Sequence, residues 1–464
     1  MGSVKVSDLP LEWVLIDLAS IVEIIRGITY SKSQSSPLPQ DDYLPILRAN
    51  NIQNQKLIFD ELVHIEKSLV KEQQKIRKND ILVAMSSGSK ALVGKSAQSL
   101  ENFEFGFGAF CAVLRPIDYV NPNFIGYFTY SENYRTKISE LSAGANINNL
   151  KPSHFSEIFL GLPPKAEQEK IAELLDNHLA QVEAIKARLN AIPQILKKFR
   201  QSVLADAVSG RLIGLEKKFQ DLETIKFENL ILKSGNGIAK RSGTDGKDIT
   251  VLRLADFKNS ERMTGNERQI TLTEKEINQY QLNQNDILVV RVNGSIDLAG
   301  KFILYEQNKN IEAYCDHFIR FQLNQEKILP QFMIYIANFG KGRDYLQNSL
   351  STSAGQNTIN QTSIKNLTLK LPSIGEQREI VKRVEQLFAF ADTIETQITN
   401  ALQRVNQLTQ SILHQAFTGQ LTADWRANHP ELIIGDNSAE KLLEQIQKQK
   451  ATPTKKIKKV KNAT

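Results

Sequence analysis

Two long helical seams, each following its own copy of a mixed α/β segment, constrain this 464-residue chain more than anything else in it. NDILVAMSSGSKALVGK, starting at Asn79, returns as NDILVVRVNGSIDLAGK at Asn285. YLPILRANNI at Tyr43 is answered by ITVLRLADF at Ile249, LSAGANINN at Leu141 by STSAGQNTIN at Ser351, and GLPPKAEQEKIAELL at Gly161 by KLPSIGEQREIVKRV at Lys370. Four matches in one order, at a period far longer than that of a solenoid, mean a duplicated domain pair.

After each Leu-Pro the chain reads as helix for about 45 residues, with proline near the start, where a helix tolerates it. Ile171, Leu175, His178, Val182, Ile185, Leu189, Ile192, Leu196, Phe199 and Val203 step by alternating fours and threes. The second seam is Ile380, Val384, Leu387, Ala391, Ile394, Ile398, Ala401, Val405, Leu408 and Ile412. A sustained 3.5-residue spacing predicts a coiled coil rather than an ordinary surface helix. Pairing the two helices antiparallel satisfies both seams and relates the copies by a pseudo-twofold. At 1.5 Å per residue each seam spans about 48 Å. Pro193 should kink the first helix, and Gly210 and Gly419 should end the two helices. Glu167, Glu169, Lys170, Glu173, Glu183, Lys186 and Arg188 lie off the seam and read as a solvated face; His178 reads as a packed histidine.

The expected fold is therefore α/β (α+β): two duplicated β-rich domains, 1–160 and 213–370, separated by two long helices, 161–212 and 371–426, with 427–464 as a C-terminal helix and basic tail. Short alternating segments broken by Gly, Asn, Ser and Pro give the domains their β-rich reading.

Composition narrows the class. Lys and Arg (58) exceed Asp and Glu (51), a moderate excess consistent with a polyanionic partner. Part of it is the tail KKIKKVK, from Lys455, which reads as a solvated end. No stretch is apolar for the roughly 18 residues of a membrane span, and MGSVKVSDLPLEW lacks the basic head and apolar run of a signal peptide, so a cytoplasmic protein is expected. Cys111 and Cys315 give no disulfide framework and too few thiolates for a metal site, and read as small buried hydrophobes.

Catalytic equipment fails test by test. Gly88 to Lys95 resembles a P-loop but carries five residues where the motif has four, and the second copy ends Gly300-Lys301-Phe302 without the magnesium-binding hydroxyl. The alternation of Ile81, Val83 and Met85 with Leu82 and Ala84 argues for a strand turning at Ser86 to Ser89 into a second strand. Asn121-Pro122-Asn123-Phe124 and Phe105-Gly106-Phe107-Gly108 are near misses for adenine-methyltransferase motifs, and the six histidines show no metal-ligand spacing. No catalytic or metal residue is expected.

What recurs instead are polar and basic side chains at corresponding loops. These are Arg48, Ser86, Ser87, Ser89, Lys90, Lys95, Asn146, Asn148 and Asn149 in one copy, and Arg253, Arg291, Asn293, Ser295, Lys301, Gln356 and Asn357 in the other. Arg, Lys, Asn and Gln read base edges, while Ser and backbone amides fix phosphates. Where the tips differ, Ser86-Ser87 against Val292-Asn293, two distinct target sequences are expected.

AMSSGSK, LSAGANINN, the Pro163 to Gln168 stretch, Gly375-Glu376-Gln377, and QLFAFADTIE, LTQSIL and LTADWR between Gln386 and Arg426 resemble the specificity subunits of type I restriction-modification systems, most closely the enteric type IA group. The resemblance covers nearly the whole chain. It implies two target recognition domains, each reading half of a bipartite double-stranded DNA site, spaced by the coiled coil. It further implies two methyltransferase subunits and, for restriction, translocase-nuclease subunits as partners. S-adenosylmethionine, ATP and magnesium then belong to those partners, with N6-adenine methylation and ATP-driven cleavage. Trp425-Arg426 has no counterpart in RLIGLEKKF after the first helix, so the two linkers are expected to dock differently. The rival readings are a self-contained methyltransferase or restriction enzyme with degenerate motifs, and a stand-alone DNA-binding regulator.

Overall fold

A computed structural model describes residues 9–143, 148–258, 260–265, 267–306, 308 and 310–451. Asn146, the tail from Lys455 and the first eight residues lie outside them. The chain divides into two units, residues 1–189 with 400–464, and residues 190–399.

Each unit is built on the same four-stranded antiparallel sheet. In the first unit the order is Ser96–Gln98, Ile81–Ala84, Cys111–Pro116, Val22–Arg26; in the second it is Phe302–Leu304, Ile287–Val290, Phe318–Leu323, Ile231–Asn236. A second sheet, four-stranded in the first unit and three-stranded in the second, packs beside each and contains one parallel pair, Gly106–Phe107 with Tyr43–Leu47 and Glu312–Tyr314 with Lys247–Leu252. The repeated Ile-Leu-Val strand is the middle of this frame, and all four of its residues are buried in both copies. It is covered on both faces, which the alternating pattern alone did not reveal.

The Asn-Asp that precedes this strand has a local cause. Asn79 and Asn285 both adopt φ 71°, the third position of a turn closed by Asp80 N to Arg77 O (3.1 Å) and Asp286 N to Asn283 O (3.0 Å). Asparagine tolerates that left-handed backbone and a β-branched residue does not. Asn79→Val is therefore expected to cost about 1–3 kcal/mol and Asn79→Gly to be near neutral, read as shifts in the denaturant midpoint.

The two long helices are Lys165–Val208 and Ile374–Phe417, 44 residues each. α-Helical residues continue through Pro193. Both helices stop at a left-handed glycine, Gly210 (φ 77°) and Gly419 (φ 76°). In the first unit Ile171 and Leu175 share a core with Leu413, Ala416 and Phe417. In the second unit Val203, Leu204 and Ala207 share one with Ile380, Val381 and Val384. In each unit the start of one helix thus meets the end of the other, the pairing of an antiparallel coiled coil.

Seam burial varies along the helices. Val182, Leu196, Ala391 and Ile398 are buried, and His178, Leu189, Phe199, Leu387, Ile394 and Val405 are half-buried. Ile185 (42%) and Leu408 (47%) are exposed, against the expectation that they sit in the seam.

Glu169, Glu173, Glu183 and Arg188 are exposed as a solvated face requires, and Glu167 is the exception. It is fully buried and accepts from Trp13 Nε1 (2.9 Å), Thr422 Oγ1 (2.6 Å) and Arg426 Nη1 (2.5 Å). Its counterpart Glu376 meets Lys218 Nζ (2.5 Å) from the short helix Glu216–Asp221, and Ser373. The linkers dock differently, as Trp425-Arg426 suggested. The neighbouring glutamine acts alike in both copies. Gln168 accepts from Asn121 N and donates to Pro163 O, and Gln377 accepts from Leu329 N and donates to Pro372 O and Lys327 O, all at 2.8–2.9 Å. Each glutamine fastens a long helix to its own domain, which is why Glu-Gln recurs.

Candidate nucleic-acid interface

Beyond the buried strand, each unit turns out a short polar ladder. Ser86–Ser87 pairs antiparallel with Asn148–Asn149, Ser87 opposite Asn148 and Ser86 opposite Asn149. In the second unit Val292 lies opposite Thr358 and Asn293 opposite Asn357, and a further strand, Ser351–Ser353, extends the ladder. Two candidate loops far apart in sequence thus become one surface in each unit. In the second unit the hairpin turns at Ala354 (φ 47°) and Gly355 (φ 75°), the consecutive left-handed pair of a tight two-residue turn. Its tip, including Gln356, is exposed.

The loop that resembled a phosphate-binding turn is a strand connection. Gly94 N donates to Ala84 O (2.7 Å) and Gly300 N to Val290 O (2.8 Å), both glycines being left-handed (φ 72° and 73°). A Cβ on Gly94 would lie 2.3 Å from Ile138 Cγ2. The chain returns as Ser96–Gln98 beside Ile81–Ala84, after the excursion through the Ser86–Ser87 ladder.

Side chains at the base of this loop serve the turn. Ser89 N donates to Ser87 Oγ (3.2 Å), and Ser295 N to Asn293 Oδ1 (2.9 Å). Lys90 is exposed; Lys95 and Lys301 are half-buried, and burial pulls both ammonium groups below the ordinary lysine value. Asn357 ties the ladder, donating to Gly294 O (3.0 Å) and accepting from Thr352 Oγ1 (2.8 Å).

Sequence reasoning missed Arg135 and Arg343. Arg135 donates to Val93 O (2.9 Å) and Ala91 O (2.7 Å), and Arg343 to Ile296 O (2.9 Å), so each clamps the loop from a neighbouring helix. Burial pulls both guanidinium groups down. Both sit on the helix that precedes the Ala-Gly loop, the one signal that could have paired them.

Arg48 and Arg253 stand apart from the ladders, each opening a turn. Arg48 N donates to Asn51 Oδ1 (2.9 Å) and its guanidinium to Glu61 O (3.0 Å). Arg253 N donates to Asp256 Oδ2 (2.7 Å) and its guanidinium to the same carboxylate. Arg291 reaches Asp316 O through Nη1 (3.1 Å).

The near-miss motifs have structural roles. Asn121 caps the helix Pro122–Phe128 by accepting from Asn123 N and Phe124 N, and Gly106–Phe107 is the strand of the parallel pair. Cys111 and Cys315 are buried and unpaired. Among the described residues, Cys315, Asp316 and His317 are the one group of metal-ligating side chains that lie within 4.8 Å of one another. No helix among them is long and apolar enough to cross a membrane.

Comparison with known proteins agrees with this geometry. The family model of the type I restriction modification DNA specificity domain matches twice, at residues 10–194 and 220–404. The type I restriction enzyme StySPI specificity subunit of Salmonella potsdam is 58% identical over 446 residues, 96% of each chain. The EcoKI specificity subunit of Escherichia coli K12 is 46% identical over 449 residues, again 96% of both. The HsdS subunit from Thermoanaerobacter tengcongensis shares the fold at 17% identity, with a TM-score of 0.58 over 89% of this chain and 98% of its own. Matched in both copies and along nearly its whole length, the chain belongs to the family of type I restriction-modification specificity subunits.

Proposed function

We propose that the chain is a non-catalytic subunit that selects the DNA site for partner enzymes. Residues 1–160 and 213–370 each read one half of a bipartite double-stranded target, the helices within 161–212 and 371–426 set the spacing, and 427–464 closes the chain. Methyltransferase subunits, two per complex, carry S-adenosylmethionine and methylate adenine at N6; restriction subunits use ATP and magnesium for cleavage. The complex works in the cytoplasm, where chromosomal DNA is accessible.

The observation that supports this most is a shared frame with unlike tips. The Ile-Leu-Val strand, the left-handed glycine and the clamping arginine recur in both units, while Ser86–Ser87 becomes Val292–Asn293. Selection for two different half-sites on one scaffold produces that contrast. The ladders present Ser86, Ser87, Asn148 and Asn149 in one unit and Asn293 and Gln356 in the other, side chains suited to base edges and phosphates, while Asn357 is buried and spends its amide on the ladder itself.

Co-expression with a methyltransferase partner, followed by sequencing of methylated adenines, is the test. A split motif with an unspecified spacer is expected. A continuous motif, or stoichiometric binding of S-adenosylmethionine by the purified chain alone, would overturn the reading.

A further inference from the structure

In the second unit the turn Cys315-Asp316-His317 follows the parallel strand Glu312–Tyr314. Cys315 N donates to Leu252 O (3.0 Å) and Asp316 N to Ile238 O (3.1 Å), so three chain segments meet there. Arginines converge on it. Arg241 holds both oxygens of Asp316 (2.8 and 3.1 Å), Arg291 donates to Asp316 O through Nη1 and to His317 O through its backbone N–H, and Arg253 follows Leu252 directly. Arg268 lies across the strand pair, its carbonyl accepting from Val251 N (2.9 Å), and its charge acts on the Cys315 thiol. Nε and Nη2 of Arg268, which form one edge of the guanidinium, are buried and have no hydrogen-bond partner among the described residues.

The cluster is a poor metal site despite its Cys, Asp and His. Asp316 is already taken by Arg241, burial pushes the Cys315 thiol up, and the surrounding guanidinium charges repel a divalent cation. It suits a ligand rich in acceptors. DNA offers two such acceptors, a phosphate and a guanine edge, and salt dependence separates them, because only the phosphate contact is lost uniformly across sequences. An arginine fork paired with guanine O6 and N7 is the commonest specific base contact, and because the covered edge of Arg268 holds no hydrogen bond, turning it out to such a partner breaks none.

The first unit has the same backbone frame without this chemistry. Gly108 N donates to Leu47 O (2.9 Å) and Met85 N to Phe110 O (2.8 Å), matching Cys315 to Leu252 and Arg291 to His317. The register that sets Leu44 opposite Ile65 sets Ile249 opposite Ile270, so Val63 corresponds to Arg268. Met85, Ala109 and Phe110 stand where the second unit has Arg291, Asp316 and His317, and Phe110 is 71% exposed.

We propose that the second recognition domain reads a guanine in its half-site through this cluster, with Arg268, whose covered edge gives up no hydrogen bond when the side chain turns outward, taking O6 and N7, and that the first domain reads its half without such a device. This rests on the assignment of one half-site to each domain.

The test uses the full chain assembled with its methyltransferase subunits and duplexes carrying the mapped target. 7-Deazaguanine, which lacks the N7 acceptor, replaces each guanine in turn. In one half it is expected to weaken binding about tenfold or more, and Arg268→Ala and Arg268→Lys are expected to abolish that sensitivity while leaving recognition of the other half unchanged. Thermal unfolding of the lysine variant, which keeps the charge, verifies folding; if neither variant folds, the wild-type response to 7-deazaguanine decides. Insensitivity of the wild type at every guanine, or a half-site without guanine, overturns the proposal. So does an Arg268→Ala variant that loses affinity equally for all sequences with a shallower salt dependence, the mark of a phosphate contact. A wild type that methylates no split motif would instead bring down the half-site assignment itself.

Discussion

Arg426→Ala is expected to destabilise the first unit by roughly 3–5 kcal/mol, because it leaves the carboxylate of Glu167 buried without its counter-charge. Glu167 has no exposed surface, and the Arg426 side chain is 12% exposed. Trp13 Nε1 and Thr422 Oγ1 would still donate to it, but neither carries charge. Arg426 also donates to Gly419 O (2.9 Å) and lies 3.5 Å from Glu12, so the same substitution loosens the end of the second long helix. Both tryptophans of the chain, Trp13 and Trp425, belong to this unit, so urea unfolding followed by tryptophan fluorescence reads it selectively. Glu167→Gln combined with Arg426→Met should recover most of the loss, since replacing both members of a buried pair is far milder than removing one. An unchanged midpoint in Arg426→Ala would mean that the cluster does not anchor the helix. By contrast, the Lys218 partner of Glu376 is 55% exposed, and Lys218→Ala should cost no more than about 1 kcal/mol.

That cluster marks where sequence reading stops. The duplication, the 44-residue helices and the glycines that end them were legible because each depends on spacing along the chain. Glu167 was not: a glutamate off an apolar seam looks solvated, and its partners lie 154, 255 and 259 residues away. The exposed Ile185 and Leu408 failed for the converse reason, since a heptad pattern places residues on a stripe without saying how tightly it is covered along its length. At the candidate interface, polar loops were visible as composition, but their union into ladders depended on strand register. Asn149 meets Ser86 only once the sheet has formed. Arg268 carried no signal at all, because its first-unit counterpart is Val63 and nothing repeats.

The repeated Asn-Asp gives unequal expectations in its two copies. Asp80 is fully buried and bidentate with Arg115, accepting from Nε (2.7 Å) and Nη2 (2.8 Å) as well as from Arg77 N (2.8 Å). An asparagine there offers one acceptor to three donors and turns its amide against the guanidinium, so Asp80→Asn is expected to cost about 3 kcal/mol or more. Asp286 accepts instead from Gln322 Nε2 (3.0 Å) and Asn283 N (3.0 Å), with Arg320 at 3.9 Å. Burial pushes its carboxyl above the ordinary value of 3.8, although the Asn283 N–H, Gln322 and Arg320 pull the other way. With Gln322 reversed, an asparagine satisfies the same neighbours, and Arg320 keeps the carbonyls of Gln281 and Gln279. Asp286→Asn should then cost about 1 kcal/mol or less. Asp286 also brings a pH dependence of its own. Because the folded Asp286 holds its proton more tightly than the unfolded chain does, its contribution is complete below the unfolded value and is lost as pH rises through the folded one. Asp286→Asn should flatten that acid-side slope. Hydrogen exchange at Ile81–Ala84 and Ile287–Val290, followed against pH, measures both effects in one chain. Equal costs in the two copies would show that the turn, and not the partner of its carboxylate, sets the stability of the strand.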